Sequence, residues 1–209
     1  MAVFFIANKS DDENLTTHNE EAFFKHILER INLQRDIHFY TNTTIDTLDY
    51  SGDGLNTGSK VVIAACGNAV RNLDKIVPSD FDLPIGFKNP RMISDGILAI
   101  ETNAFENYET EIKRLEYFTK NKIATLKNIP LIIICDDSQY LADNFNNFLW
   151  IAFTRSNPSH DMYGVNEQIV NKHWQCDNLI IDVRVKPHHA PILEKDEAIE
   201  AKVNDLLLF

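Results

Sequence analysis

The stretch Pro130–Gly164, PLIIICDDSQYLADNFNNFLWIAFTRSNPSHDMYG, decides the fold of this chain. Its residues Leu131–Cys135 form a continuous apolar run, which is typical of a strand covered on both faces in a parallel sheet. Asp136, Asp137 and Ser138 follow directly and predict a helix start, because such side chains cap unpaired amides and interact favourably with the helix dipole. The stretch therefore predicts a central buried strand that leads straight into a helix.

The predicted helix carries apolar side chains at helical spacing, with amides and carboxylates on most of the opposite side. It is predicted to end before Ser156, since Pro158 disfavours helical geometry in the residue ahead of it. Trp150, Ile151 and Phe153 add apolar surface away from the main stripe. We therefore expect the last turns of the helix to be buried all round, against another element or another subunit.

Size and composition predict an ordinary globular protein, with 209 residues of which 44% are hydrophobic and 24% charged. We expect one domain over residues 1–209, with the proline-containing Ile76–Pro90 loop as the best candidate for a boundary. No run of about eighteen apolar residues is present, so no membrane span is predicted. The first ten residues lack the basic start and long apolar core of a signal peptide, which favours a cytoplasmic location.

The net charge indicates which partners to expect, and the cysteine content indicates whether disulfide bridges form. The formal net charge is −11, and no dense basic run interrupts the acidic background, so nucleic acid is not an expected partner. The three cysteines, Cys66, Cys135 and Cys176, are odd in number and widely spaced. This pattern indicates reduced, inert thiols rather than disulfide bridges.

Strand-like and helix-like runs alternate along the rest of the chain. Ile37–Tyr40 is predicted as a short strand, and Val165–Cys176 is indeterminate. The alternation predicts a three-layer α/β sandwich with a mostly parallel or mixed sheet, in which working residues lie beyond the carboxyl ends of the strands. The other predicted strands are Ala2–Ala7, Val61–Ala65, Ile97–Ile100 and Leu179–Val183, and the other predicted helices are Asn19–Leu33, Ala104–Thr119 and Glu194–Leu207.

Two turns after predicted strands could bind small ions. The turn at 66–68, Cys-Gly-Asn, resembles a phosphate-approaching turn but lacks both the dinucleotide glycine triplet and the P-loop Lys-Ser/Thr. Asp136 and Asp137 could hold a cation, although two acids at a helix start are more often a cap. We interpret the acidic pair as a cap and the glycine turn as a weak phosphate candidate.

His188 and His189, with His160 and His173 as possible additions, form the only plausible metal cluster in the sequence. Adjacent histidines on an extended segment point in opposite directions, so both rarely bind one ion. We therefore expect no metal site, and favour a proline-stiffened loop in which the imidazoles bond neighbouring carbonyls.

Arg155 and Asp161 lie on either side of a proline-containing turn. We interpret the two residues as an ion pair that fixes the loop, and contact with a ligand is the alternative, functional interpretation. Lys186 has no evident partner in the sequence and could reach an anion. These residues do not supply a complete set of nucleophile, base and electrophile.

Two segments, NNFLWIAFTRSNPSHDMYG at 146–164 and LIIDVRVKPHHAPILEKD at 179–196, resemble the C-terminal domain of UbiD-type carboxy-lyases, the 3-octaprenyl-4-hydroxybenzoate decarboxylase family. The run GSKVVIAACGN at 58–68 looks like the bacterial quinone-pathway branch, so the resemblance extends over nearly the whole chain. The positions that match the family pattern are Trp150, Arg155, Pro158, Asp161, Ile181, Asp182 and Lys186.

The resemblance implies non-oxidative decarboxylation of an aromatic or α,β-unsaturated acid in quinone biosynthesis, with prenylated FMN and a divalent metal. In this family the flavin, the metal and the catalytic Arg and Glu belong to a preceding domain, whose motifs this chain lacks. No catalytic residue can be carried over. Because the reactive ring, its phosphate anchor and the proton donor must be held together, this chain alone should be inactive.

The resemblance also implies a role for this part of the enzyme, because the family's C-terminal domain closes over the substrate entrance and helps to build the oligomer. We therefore expect a homo-oligomer and a flavin-binding UbiD-type domain as partner. A non-catalytic interaction or assembly module is the alternative, and an independent metal enzyme that uses His188 or His189 is a third hypothesis. The candidates for substrate-entrance or loop-ordering residues are Arg155, Asp161, Asp182, Lys186, His188 and His189.

Overall fold

The computed structural model describes residues 3–49, 51–52, 54–120, 126–189 and 196–207. The strands are β1 Val3–Ala7, β2 Ile37–Thr43, β3 Gly58–Ala65, β4 Phe87–Ser94, β5 Ile97–Thr102, β6 Leu131–Cys135, β7 Met162–Gly164, β8 Gln168–Val170, β9 His173–Gln175 and β10 Leu179–Asp182. The helices are α1 Glu20–Arg30, α2 Tyr108–Lys120, α3 Ser138–Asp143, α4 Phe145–Thr154, α5 Pro158–Asp161 and α6 Glu197–Leu207.

The strands form two mixed sheets and a separate hairpin. The larger sheet has the order β4-β5-β6-β10-β7, in which β5, β6 and β10 are parallel and the two edge strands are antiparallel. The smaller sheet has the order β1-β3-β2, with β1 parallel and β2 antiparallel to β3. The expected α/β fold with a mixed sheet is confirmed, although the strands divide between two sheets.

Strand β6 lies in the middle of the larger sheet, as its continuous apolar run predicts. One face of that sheet, which includes Ile133 and Ile181, shares a core with α1, α4 and the smaller sheet. The opposite face, which includes Ile132 and Ile180, packs against α2. All five residues of β6 are buried because both faces of the strand are covered.

Strand β4 corrects the expectation that the loop extends to Pro90. It begins at Phe87 and pairs antiparallel with β5 at the edge of the sheet. The pairing register shifts between Lys88 and Arg91, and Asn89 has a φ of 50°. Proline cannot donate to a strand ladder and is confined to edges and bulges, so Pro90 is accommodated at this irregular position.

The predicted single helix after β6 is divided in two at Asn144. This residue has extended backbone angles, with φ −155° and ψ 131°, and ends α3 while it caps α4. Its side-chain oxygen accepts the Asn146 amide at 2.9 Å. Helix α4 ends at Thr154, which confirms the predicted end before Ser156. Burial all round by other elements of this chain is wrong, because Trp150 is 66% exposed, and burial against another subunit stays a prediction.

Several smaller expectations have clear outcomes. The indeterminate segment before β10 contains the β8–β9 hairpin, and the turn after α4 contains the short helix α5. Cys66, Cys135 and Cys176 are free, as predicted. Among the described residues, no helix is long and apolar enough to cross a membrane. The parts of the predicted first strand and closing helix at Ala2 and Glu194 lie outside the described residues.

The predicted acidic cap is confirmed at Asp137, whose carboxylate accepts the Tyr140 amide at 2.9 Å. Replacing Asp137 by alanine is expected to lower the free energy of unfolding by about 1 kcal/mol, because that amide loses its acceptor. Urea denaturation measures the change. The matched control is Asp143→Ala at the other end of α3, an exposed position where a change within about 0.5 kcal/mol is expected. Equal effects of the two substitutions would contradict the cap.

Candidate functional site

A cleft of about 1480 Å³ lies beside the carboxyl ends of β6 and β10. Its walls come from β1, α1, α3, α4 and the segments that follow β2, β6 and β10. Most of the lining is apolar, as is usual for sites that bind small organic molecules. The apolar lining includes Phe5, Phe24, Leu149, Trp150, Phe153 and Val185.

One part of the cleft wall is polar and combines three segments. Asp136 follows β6, Arg155 ends α4, and His189 follows β10. The Asp136 carboxylate accepts the Val185 amide at 2.8 Å and lies 3.9 Å from Arg155 Nη1. At 3.9 Å this is a loose charge contact rather than a hydrogen bond, so the Arg155 guanidinium keeps donors for another partner. We call Asp136, Arg155 and His189 the polar corner.

The protonation state of His189 follows from its surroundings. Its Nδ1 accepts the Lys186 amide at 3.2 Å, which places the proton of the neutral ring on Nε2. Burial, reinforced by the positive charge of Lys186, lowers the pKa of His189 to about 4. The ring is therefore neutral at pH 7, and its Nε2–H is a buried donor without a hydrogen-bond partner among the described residues.

Lys186 contacts two residues of the polar corner, Arg155 and His189. Its Nζ lies 3.2 Å from Asp161 Oδ1, and both side chains have no exposed surface. The same ammonium donates to the carbonyls of Asp182 at 2.9 Å and Arg155 at 3.3 Å, while its backbone amide holds His189. Lys186 thus connects two segments that line the cleft.

Asp161 is held from two sides in the turn after α4. Its second carboxylate oxygen accepts the Asn157 amide at 2.7 Å. Burial raises the pKa of Asp161 to about 6, and the charge of Lys186 opposes this rise. The carboxylate and the lysine are therefore a buried pair whose charge state is sensitive to acid.

A second group of buried charges lies at the end of β10. Arg184 donates from Nε and Nη2 to the two oxygens of Asp182, at 2.9 and 2.6 Å, and from Nη2 to Glu111 at 2.6 Å. The three side chains have no exposed surface. The Phe105 ring lies beneath both cations, 5.6 Å from Arg184 Cζ and 5.4 Å from Lys186 Nζ. This group ties α2 to the end of β10.

The predicted site residues lie close together, but their ion pairs differ from the predicted ones. The expected ion pair between Arg155 and Asp161 is wrong, because Asp161 pairs with Lys186 and Arg155 lies nearest to Asp136 among the described carboxylates. The expectation that Lys186 lacks a partner is wrong for the same reason. Asp182 pairs with Arg184.

The histidine candidates lie in three places. The rings of His188 and His189 lie 4.7 Å apart in an edge-on arrangement. His189 accepts an amide through Nδ1, so the expectation that the imidazoles bond carbonyls is wrong for this ring. His160 lies against Tyr108, and His173 lies against His38. In the described ranges, no group of three or more His, Cys, Asp or Glu side chains is arranged to hold a metal.

The backbone amide and carbonyl of Gly67, in the turn after β3, are already hydrogen-bonded to other residues of the chain. Gly67 has a φ of 91°, and its amide donates to the Asp11 carboxylate at 2.8 Å. Its carbonyl accepts from Arg30 at 3.1 Å. A carboxylate already takes the place that a phosphate oxygen would need, so this turn does not fit the phosphate of a cofactor.

Sequence reasoning missed Arg184 and Glu111 as parts of the site. One signal was present, since Asp182 is an acidic residue within an otherwise apolar strand and requires a buried partner. Arg184 is two positions further on, which keeps its side chain on the same face of an extended segment. Glu111 lies 73 positions from Arg184, and no local pattern indicates that they meet.

Comparison with known proteins finds similarity to one family of carboxy-lyases. The model of the 3-octaprenyl-4-hydroxybenzoate carboxy-lyase C-terminal domain matches residues 10–65. A 4-hydroxybenzoate decarboxylase subunit of Chlamydia pneumoniae is 30% identical over 188 residues, covering 86% of this chain and 29% of the relative. The chain is therefore similar to the C-terminal domain of UbiD-type carboxy-lyases. An uncharacterized protein of Chlamydia trachomatis is 28% identical over 194 residues, which are 92% of this chain and 32% of that protein.

The UbiD-like chain thus spans about a third of the length of the curated relatives it matches. Among solved structures, the vanillic acid decarboxylase of Sedimentibacter hydroxybenzoicus in its closed form is similar with a TM-score of 0.36 and 17% identity. That match covers 55% of this chain and 27% of the decarboxylase chain.

Proposed function

We propose that this chain is the substrate-lid and oligomerisation portion of a UbiD-type decarboxylase for aromatic or α,β-unsaturated acids. The observation that carries the proposal is the apolar cleft, which holds the Arg155 cation and the His189 donor at one polar corner. Such a site suits a molecule with an apolar body and one anionic group. We further propose that Arg155, Asp161, Asp182, Lys186, His188 and His189 border or order the substrate entrance.

The cofactor of the complete enzyme belongs on other polypeptide in this proposal. The family implies prenylated FMN for the complete enzyme, and the sequence resemblance also implies a divalent metal. Among the described residues, no cluster of metal ligands is present, and the Gly67 amide already donates to Asp11 and is not available to a phosphate. The chain therefore needs a flavin-binding UbiD-type domain for decarboxylation, and we place the complete enzyme in the cytoplasm and in quinone biosynthesis.

The assembly role rests on apolar side chains that this chain leaves exposed. Trp150 on α4 is 66% exposed, and on α6 Ile199, Val203 and Leu206 are 58%, 45% and 68% exposed. The three α6 residues follow the spacing of one helix face. We propose that these surfaces contribute to a homo-oligomer or to the contact with the flavin-binding domain.

The test of the proposed function is a decarboxylation assay of the chain with and without a flavin-binding UbiD-type domain. The chain alone is expected to release no carbon dioxide from an aromatic acid. Activity is expected when it is mixed with, or fused to, the part of the Chlamydia pneumoniae decarboxylase that it does not match, loaded with prenylated FMN. Turnover by the chain alone, or no activity in any combination, would refute the proposal. The unmatched part assayed by itself is the control.

The alternative function is a non-catalytic interaction or assembly module, which the exposed α6 face also favours. Flavin titration and sedimentation distinguish the two. A module of this kind self-associates or binds its partner without changing the partner's decarboxylation rate, whereas a lid and assembly domain raises that rate.

A further inference from the structure

Outside the polar corner, the cleft lining is acidic. It carries four carboxylates and, among the described residues, no lysine or arginine. The Asp46 carboxylate accepts the Leu48 amide at 2.8 Å, and the Asp137 carboxylate accepts the Tyr140 amide at 2.9 Å. These bonds to neutral amides hold the carboxylates in place without removing their charge, so this part of the cleft has a negative potential. The four acids come from the start of α1, the loop after β2 and the residue before α3, and they are Glu20, Asp46, Asp49 and Asp137.

Large apolar side chains beside these acids are exposed. Leu48, Tyr140 and Trp150 line the cleft and are 78%, 47% and 66% exposed. Exposed apolar patches with a polar rim mark interaction sites, and tryptophan and tyrosine are enriched among the residues that contribute most to protein–protein affinity. The cleft therefore combines an apolar surface with a negatively charged rim.

The size of the cleft and the spread of its acids favour a polypeptide as the occupant. Its volume of about 1480 Å³ exceeds the about 300–1,000 Å³ of small-molecule sites. The acids do not converge on one point, since no described group of three or more His, Cys, Asp or Glu side chains could hold a metal. Separate carboxylates around an apolar groove match several cations beside an apolar stripe. Helix α6 of a second copy lacks this pattern, because Glu197, Glu200 and Asp205 outnumber its single cation, Lys202.

We infer that the cleft docks a basic amphipathic helix of another polypeptide. The apolar stripe of that helix lies against Leu48, Tyr140 and Trp150, and its lysines and arginines lie beside the four carboxylates. This contact goes beyond the proposed function, because it adds a partner at lining residues outside the polar corner. The volume of the cleft exceeds that of a small-molecule site, so a small acid at the polar corner and the helix need not compete.

The probe is a peptide of about 14 residues, or nearly four helical turns, with leucine on one face and lysine on the other. Titration of the chain is expected to shift the Trp150 emission to shorter wavelength as the peptide covers the indole. A peptide with glutamate in place of lysine is expected to bind at least about tenfold more weakly, because the carboxylates repel it. A scrambled leucine–lysine peptide should also bind more weakly, because its leucines do not form one face. Equal binding of any two of these peptides would overturn the inference.

Neutralising the carboxylates tests the charge match. The triple variant Glu20→Gln, Asp46→Asn and Asp137→Asn is expected to bind the lysine peptide about tenfold more weakly. Asparagine can still accept the amide bonds of Asp46 and Asp137, and it is a good helix cap. The matched control removes three acids of α6 outside the cleft lining, through Glu197→Gln, Glu200→Gln and Asp205→Asn. It changes the net charge equally and should change the affinity by less than about twofold. Equal weakening by both triple variants would mean attraction to the net charge alone and would overturn the inference.

Substitution of an exposed aromatic side chain tests the apolar contact. Trp150→Ala is expected to weaken binding of the lysine peptide about tenfold and to abolish the emission shift. The control is Ile85→Ala, at a side chain that is 89% exposed and lies outside the cleft lining, and it should leave both unchanged. A lysine peptide that binds Trp150→Ala as tightly as the native chain refutes the docking site. Thermal unfolding of each variant verifies that it folds.

Discussion

Replacing Arg184 by methionine will lower the free energy of unfolding by about 3–5 kcal/mol, the usual penalty for breaking a buried ion pair from one side. The substitution leaves Asp182 and Glu111 buried and negatively charged within 2.6 Å of the former guanidinium nitrogen. Glu111 keeps Arg114 at 2.7 Å, so most of the penalty falls on Asp182. Since whole domains are stable by only about 5–15 kcal/mol, the variant should be near the limit of folding. Urea denaturation at pH 7 measures the loss.

Two controls separate lost charge from lost volume at Arg184. Arg91→Met removes an exposed arginine on β4, and a change within about 0.5 kcal/mol is expected. Adding Asp182→Asn and Glu111→Gln to Arg184→Met removes the stranded charges together, and should recover part of the stability because no buried charge is then left unpaired. If the triple variant is less stable than Arg184→Met, charge pairing is not the reason for the loss.

The buried strands could be predicted because a strand that is buried on both faces needs a continuous run of apolar residues. The runs that contain Ile133, Ile63 and Ile181 have few polar residues, since any polar side chain there needs a buried partner. The start of α3 could be predicted for a related reason, because the cap uses a side chain next to the amide that it satisfies. In each case the cause and the pattern lie within a few residues.

The features that could not be predicted depend on neighbours distant in the sequence. Strand β4 contains Pro90, which argues against a strand, and only its edge position makes this acceptable. The break at Asn144 interrupts a stripe of apolar residues that continues in register with one helix. An asparagine that points to solvent and an asparagine that caps a new helix look alike in the sequence.

In the candidate site, likewise, the sequence predicts some features and not others. The sequence pattern identifies Arg155 and Asp161 as candidates because they lie on either side of a proline-containing turn. It identifies Lys186 because polar residues beyond the ends of buried strands are where sites form. It assigns the wrong partners, since Asp161 and Lys186 are 25 positions apart and a fully buried lysine is rare. The pairing is decided by the meeting of α5 with the segment after β10, which is a property of the packed fold.

Replacing Lys186 by methionine will lower the free energy of unfolding by about 3–5 kcal/mol at pH 7, and by less at pH 5. The ammonium faces Asp161 at 3.2 Å with no exposed surface on either side chain. The folded-state pKa of Asp161 is raised by burial from its usual 3.8 to about 6, so its contribution to stability is full below pH 3.8 and is lost as the pH rises through about 6. Lys186 limits that rise, and without it the pKa of Asp161 goes higher.

The penalty of Lys186→Met must therefore grow as the pH rises through about 6, because only the ionised Asp161 needs the lysine. Urea denaturation at pH 5, 6 and 7 measures this growth, and Lys113→Met, at a lysine whose side chain is 72% exposed, should stay within about 1 kcal/mol throughout. In the double variant Asp161→Asn with Lys186→Met no ionisable group of the pair remains, and its penalty relative to the native chain should be smaller than that of Lys186→Met at pH 7. A penalty of Lys186→Met that is the same at every pH would mean that the lysine acts through its three carbonyl contacts and not through Asp161.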